Sequence, residues 1–207
     1  MIYDEIREAV IECEKAEVVS LVRRAIDEGY PQLEIINEAL TPGMRVVGDR
    51  FGAGEYFVPE MMLASIAVKE AMKIIAEHFE APSEKKATVV IGTVKGDLHD
   101  IGKNMVSMLL EVSGFNVIDL GVDVSEADFV DAVREHKAHF LGLSALITTT
   151  MPEMVKVMGE LEKAGLRDQV TVMVGGAPVS QQYCDDIGAD FYGRHAATIP
   201  RELEKFL

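Results

Sequence analysis

Basic residues are in short supply: 20 Lys and Arg stand against 35 Asp and Glu, a formal charge of −15 over 207 residues. That balance excludes a sequence-tolerant nucleic-acid binder, which needs a basic footprint to displace phosphate counterions. It also argues against attachment to an anionic membrane surface. An acidic surface suits small-molecule or protein partners. Cysteine is scarce as well. Cys13 and Cys184 lie far apart without metal-ligand spacing, and they read as small apolar packing residues in a reduced, cytoplasmic setting. No window reaches the ~18 uninterrupted apolar residues of a membrane span. The opening Met1-Ile2-Tyr3-Asp4-Glu5 has neither the basic flank nor the apolar core of a secretory signal. Internal repeats and low-complexity tracts are also missing. What is present is core material: 48% of the residues are apolar, in a length that falls between one and two domains at about 150 residues each.

From Ile2 to about Phe79 the apolar residues recur at three and four, the period of a helix. Val18, Val19, Val22 and Ile26 share a face ahead of Gly29, which suits the position just past a helix end. Pro31 fits the first helical position of the next segment, which carries Leu33, Ile36, Leu40, Met44 and Val47. Pro42 falls inside that segment and predicts a kink or restart. Phe51-Gly52-Ala53-Gly54 reads as a loop, and a long helix follows from about Val58 to Phe79. Three or four helices packed as a bundle are expected. The 11 methionines read either as flexible core filler or, for some, as lining for a large apolar ligand. The polar stretch Glu80–Lys86 marks the domain boundary. It predicts a helical bundle domain over 1–80, a linker over 81–87 and a second domain over 88–207.

The remainder alternates strand and helix. Ala87–Thr93 is a β-branched run of the kind found in strands buried on both faces. Further strands are expected over Asn116–Leu120, Phe140–Leu146, Val170–Val174 and Asp190–Tyr192. Helices are expected over Ile101–Val112, from Ser125 to about Lys137, from about Pro152 to Gly165, over Gln181–Ile187 and over Ala197–Phe206. Ser125 and Asp128 resemble a capping box with Asp in place of Glu. This alternation predicts an α/β domain with a flavodoxin-like (Rossmann-like) five-stranded parallel sheet, order 2-1-3-4-5.

In such a sheet a ligand lies beyond the carboxyl ends of the strands, at the switch point between the first and third. The loops there are Lys95-Gly96-Asp97-Leu98-His99-Asp100-Ile101-Gly102, Ser144 to Thr150, and Gly175-Gly176-Ala177. A neutral imidazole is a common metal ligand whose second nitrogen donates to a carboxylate, so Asp97 can orient His99. A lone Asp-x-His equally reads as a loop hydrogen bond with no ligand. One His makes a poor zinc site, but it is sufficient where a macrocycle already holds the metal and lacks an axial ligand. Gly102, Ser144, Gly175, Gly176 and Ala177 leave room for a bulky group. His136 and His139 read as a solvated pair, and His78 as a complement to a helix dipole.

Asp97-Leu98-His99-Asp100-Ile101-Gly102 resembles the Asp-x-His-x-x-Gly motif of corrinoid (cobalamin-binding) proteins, and Ser144-x-Leu146 and Gly175-Gly176 are spaced as in that family. Val47-Gly48-Asp49-Arg50-Phe51-Gly52 through Phe57-Val58-Pro59 is similar to the helical cap of cobalamin-dependent methionine synthase. The resemblance covers nearly the whole chain. Its size is that of the small methyl-carrier corrinoid proteins of methylamine, methanol and methoxy-aromatic methyltransferase systems.

The resemblance implies a cofactor, methylcobalamin or a related corrinoid, bound with its own base displaced and His99 as the lower ligand of cobalt. Asp97 would bond the other ring nitrogen and Thr150 would continue the relay, where the family usually has Ser. Gly102, Ser144, Leu146, Gly175 and Gly176 would line the slot for the nucleotide tail, with Gly96, Leu98, Asp100, Ile101, Thr148 and Ala177 around it. Phe51 and Val58 would cover the upper face of the corrin; Val58 stands where methionine synthase has Leu. Implied partners are a substrate-specific methyltransferase, an acceptor methyltransferase and a reductive activation protein. The alternatives are a cobalamin-sensing regulator, for which no basic helix-turn-helix is evident, and the small subunit of an adenosylcobalamin isomerase.

Overall fold

The computed structural model describes residues 1–78 and 85–207. Chain contacts divide it into two units, Met1–Phe79 and Glu80–Leu207. Most of the expected linker falls on 79–84, outside the described residues.

The first unit is helical: α1 (Ile2–Ile11), α2 (Lys15–Asp27), α3 (Gln32–Glu34), a π-helical stretch (Ile35–Leu40), α4 (Thr41–Gly52) and α5 (Val58–Glu77). Ile6, Val10, Val18, Val22, Ile36 and Val68 are fully or almost fully buried. Gly43 lets α1 and α4 approach closely, since a Cβ there would lie 2.9 Å from Val10 Cβ. Gly29 follows α2 at φ +81°, as the αL position after a helix end requires.

Two local expectations are corrected and a third is met. Pro31 is the N-cap of α3 and not its first helical residue. Phe51 and Gly52 complete the last turn of α4, so the loop begins at Ala53. Pro42 sits at the expected restart: α4 begins at Thr41, directly after the π-helical stretch, with Pro42 in its first turn. Proline has no N–H for the carbonyl four residues back, and its ring crowds that carbonyl. The freed Glu38 oxygen instead accepts from Arg7 Nη2 (2.7 Å) and Nε (3.2 Å).

The second unit has strands β1 (Thr88–Thr93), β2 (Asn116–Asp119), β3 (Phe140–Ser144), β4 (Thr171–Gly175) and β5 (Phe191–Tyr192). They pair in parallel in the order β2-β1-β3-β4-β5. The intervening helices are α6 (Ile101–Val112), α7 (Glu126–His136), α8 (Met151–Lys163), α9 (Gln181–Asp186) and α10 (Ile199–Leu203). Both sheet faces are buried, as β-branched runs without alternation dictate. Val90, Leu141, Leu143, Val172 and Val174 point into one core with α7, α8 and α9. Val89, Ile91, Phe140 and Met173 point into the other with α6 and α10. Ser125 caps α7, its Oγ accepting from Asp128 N at 3.2 Å. The box is half formed: the Asp128 carboxylate accepts the Ser125 hydroxyl (2.6 Å). Met72, Met108, Met154, Met158 and Met173 are core residues. His78 Nδ1 lies 2.7 Å from the Ile74 carbonyl at the end of α5. His139 Nδ1 accepts from Thr88 N–H at the start of the sheet.

Candidate functional site

The switch point of this order lies where β1 and β3 are neighbours, and the loops after them meet on one side chain, Asp97. After β1 the chain turns at Gly96 (φ +78°). Asp97 then folds onto its own loop, Oδ1 accepting from His99 N at 3.0 Å, an Asx turn. The same oxygen lies 2.7 Å from His99 Nδ1. The other oxygen accepts from Leu146 N (2.8 Å) and Thr150 Oγ1 (2.7 Å), both from the loop after β3.

Asp97 is fully buried, and a buried carboxylate survives as an anion only when its lone pairs are filled. Here each oxygen receives two good donors. Burial alone would raise its pKa. The bonds from Leu146 N–H, the Thr150 hydroxyl and the N–H and ring of His99 outweigh burial and hold the carboxyl at about 2. An ionised carboxylate only accepts. His99 Nδ1 must therefore carry the hydrogen, which leaves Nε2 with the free lone pair. The His99 side chain is 48% exposed, so that lone pair belongs to an accessible ring on a buried anchor. Thr150 delivers its hydroxyl as Ser would, its methyl facing Gly96, where a Cβ would meet Cγ2 at 3.7 Å.

The other expected residues distribute as follows. Leu98 and Leu146 expose their side chains. Asp100 is the N-cap of α6, Ile101 its first residue, and a Cβ at Gly102 would meet nothing within 4 Å, so the space above it is open. Ser144 and Gly175 are partners in register at the ends of β3 and β4. Gly176 departs from expectation. It leaves no void, because a Cβ there would lie 1.8 Å from the Ala145 carbonyl oxygen. Its glycine is needed for backbone approach at φ +130°. Thr148 and Ala177 are exposed on the same rim, and Thr148 does not bond Asp97. Phe51 and Val58 lie on the helical unit with exposed side chains, as do Phe57, Met62, Leu63 and Ile66. The spacing of Val58, Met62 and Ile66 is one helix face.

Sequence reasoning missed several residues. Thr93, buried at the end of β1, donates its hydroxyl to the His99 carbonyl at 2.9 Å. Lys103, 3% exposed, pairs with Asp119 at the end of β2 and donates to Asn104 Oδ1; Ser107 donates to the same Asp119 oxygen at 3.1 Å. Asp123 contacts the Asp97 turn. Gly193 follows β5 beside Gly175, and its glycine was the one available signal.

A cavity of about 440 Å³ bounded by Arg167, Thr171 and Asp190 lies at the opposite end of β4. Its Arg167 is already engaged by Asp190 and by the Val170 and Gly188 carbonyls. It is a surface hollow beside a structural ion pair.

Residues 87–201 match a family model described as a B12 binding domain, and residues 2–76 match a second model of the same description. Dimethylamine corrinoid protein 3 of Methanosarcina acetivorans is 42% identical over 98% of this chain and 95% of its own length. The structure of the Methanosarcina barkeri monomethylamine corrinoid protein superposes with a TM-score of 0.92 at 37% identity, covering 100% of this chain and 98% of that one. The methanol:cobalamin methyltransferase complex MtaBC from the same organism aligns at 34% identity and TM-score 0.57, covering 99% and 79%. This chain belongs to the corrinoid protein family, and its cofactor is a cobalamin-type corrinoid.

Proposed function

We propose that this chain is a methyl carrier in which His99 is the lower axial ligand of cobalt, with the cofactor's own base displaced. When bound, the corrinoid supplies a metal that takes up a methyl group and yields it again. The observation that carries the reading is the Asp97–His99 pair at 2.7 Å, which commits Nδ1 and frees Nε2. The Asp97 carboxylate accepts from Nδ1, and its own bonds from Leu146 N–H and Thr150 keep that hydrogen on the ring, so that Nε2 stays available as the ligand atom. The open space at Gly102 and the small residues Ser144 and Gly175 fit a bulky ligand at this rim. Leu98, Leu146, Gly96, Asp100, Ile101, Thr148, Gly176 and Ala177 complete its surroundings.

The partners are a substrate-specific methyltransferase that loads the carrier, a second that unloads it, and a reductive activation protein. The relatives, a dimethylamine and a monomethylamine corrinoid protein and a methanol:cobalamin methyltransferase complex, support this class of partner. The test uses the chain reconstituted with hydroxocobalamin, reduced, and mixed with its methyltransferase and methyl-labelled dimethylamine, monomethylamine or methanol in turn. The label is expected to elute with the protein for one donor. A protein that keeps its corrinoid but acquires no label from any of them overturns the proposal.

A further inference from the structure

The turn bearing Asp97 and His99 is held by a residue outside the motif. Asp123, in the loop between β2 and α7, accepts from Gly96 N at 2.7 Å. It returns a bond from its own N–H to the Asp97 carbonyl at 3.1 Å. These two bonds bracket the backbone that aims the Asp97 carboxylate. Asp123 makes them from the left-handed region, at φ +56°, a conformation unfavourable for an L-residue that Asp tolerates better than most. The loop beneath it is fixed. Asp119 Oδ1 accepts from Gly121 N (2.8 Å), and Thr93 exchanges bonds with Gly121 and Val124. Thr93 also holds the far end of the turn at the His99 carbonyl.

We propose that Asp123 is a positioning residue for His99: it sets the turn so that the imidazole reaches cobalt. This rests on the reading of His99 as the axial ligand. Gly96 is exposed, so water can replace the Asp123 oxygen. Losing that oxygen costs the fold little but loosens the turn, a combination that a purely structural residue would not give.

Two substitutions separate the causes. Asp123→Asn keeps an acceptor oxygen. Asp123→Gly removes it while relieving the backbone, so strain cannot explain the result. The full chain is labelled with 15N-histidine, loaded with unlabelled cobalamin and reduced to Co(II). Electron paramagnetic resonance then shows a nitrogen doublet if a protein imidazole is the axial ligand, and a triplet if it is the cofactor's own base. Wild type and Asp123→Asn are expected to give the doublet. In Asp123→Gly the ratio of His-bound to His-free cobalt falls about fivefold to tenfold, the equivalent of one hydrogen bond. An equal doublet in wild type and Asp123→Gly, or equal loss in both variants, overturns the proposal. A wild type without the doublet overturns the axial-ligand reading itself, and the role of Asp123 falls with it.

Discussion

Asp97 and Asp190 sit at opposite ends of the same sheet and are built alike. Each accepts a backbone N–H across the sheet and closes on a nitrogen-bearing side chain of its own surroundings, Asp97 taking the Thr150 hydroxyl as well. Asp190 takes Val172 N at 2.7 Å and Arg167 at 2.8 Å. Asp97 takes Leu146 N at 2.8 Å and His99 at 2.7 Å. The difference is the closing group. A guanidinium is permanently charged, and every nitrogen on it donates, so the Asp190 pair only fastens the amino-terminal edge. An imidazole that gives one hydrogen to a carboxylate keeps a lone pair at the other nitrogen. The same construction therefore makes a fastening at one end and a ligand at the other.

The largest effect that sharpens this contrast is steric. Gly176→Ala drives a Cβ into the Ala145 carbonyl in a backbone region that L side chains avoid, and is expected to cost about 4 kcal/mol in urea unfolding of the apo chain. Wild-type stability in that variant would mean the loop repacks freely. Next is removal of the anchor. Asp97→Ala takes the acceptor from the Leu146 and His99 N–H groups, while the Thr150 hydroxyl keeps the Ile147 carbonyl, and should cost about 3 kcal/mol. Arg167→Met at the other edge should cost about 1 kcal/mol and leave the spectrum of the loaded protein unchanged. Equal losses from the two would break the comparison.

The third effect is on pH. Asp97 titrates at about 2 in the fold against 3.8 when unconstrained. Its ionisation thus favours the folded state at every pH above 3.8, and that contribution, about 2 kcal/mol, disappears as pH falls from 3.8 through 2. Asp97→Asn should lack this component, so the gap between wild type and variant closes on acidification in equilibrium unfolding. A gap that stays constant contradicts the assignment. The smallest effect has two signs. Gly102→Ala meets no neighbour and should stabilise the apo chain by about 0.5 kcal/mol through helix propensity. It should weaken hydroxocobalamin retention, because it fills the open space. Tighter retention would place the cofactor elsewhere.

β-branching sufficed for the strands, because a strand buried on both faces writes its environment into consecutive residues such as Val89, Val90 and Ile91; their order followed from the strand–helix alternation and right-handed crossovers. Asp97 and His99 were legible because they sit two residues apart. Lys103 was not: its position in α6 reads as an ordinary solvated lysine, and its partner Asp119 is 16 residues away on β2. Asp123 and Thr93 act through backbone groups of Gly96 and His99, contacts that no side-chain pattern encodes. The π-helical stretch before Pro42 depends on Arg7, 31 residues upstream of the carbonyl it satisfies.

The central claim, that the free nitrogen of His99 reaches cobalt, is tested most directly by chemical rescue. His99→Gly is loaded with hydroxocobalamin beside wild type, and visible spectra are recorded before and after adding imidazole. The account predicts that the variant retains corrinoid with a shifted spectrum, and that imidazole restores the wild-type bands. A variant whose spectrum matches wild type without imidazole would contradict it.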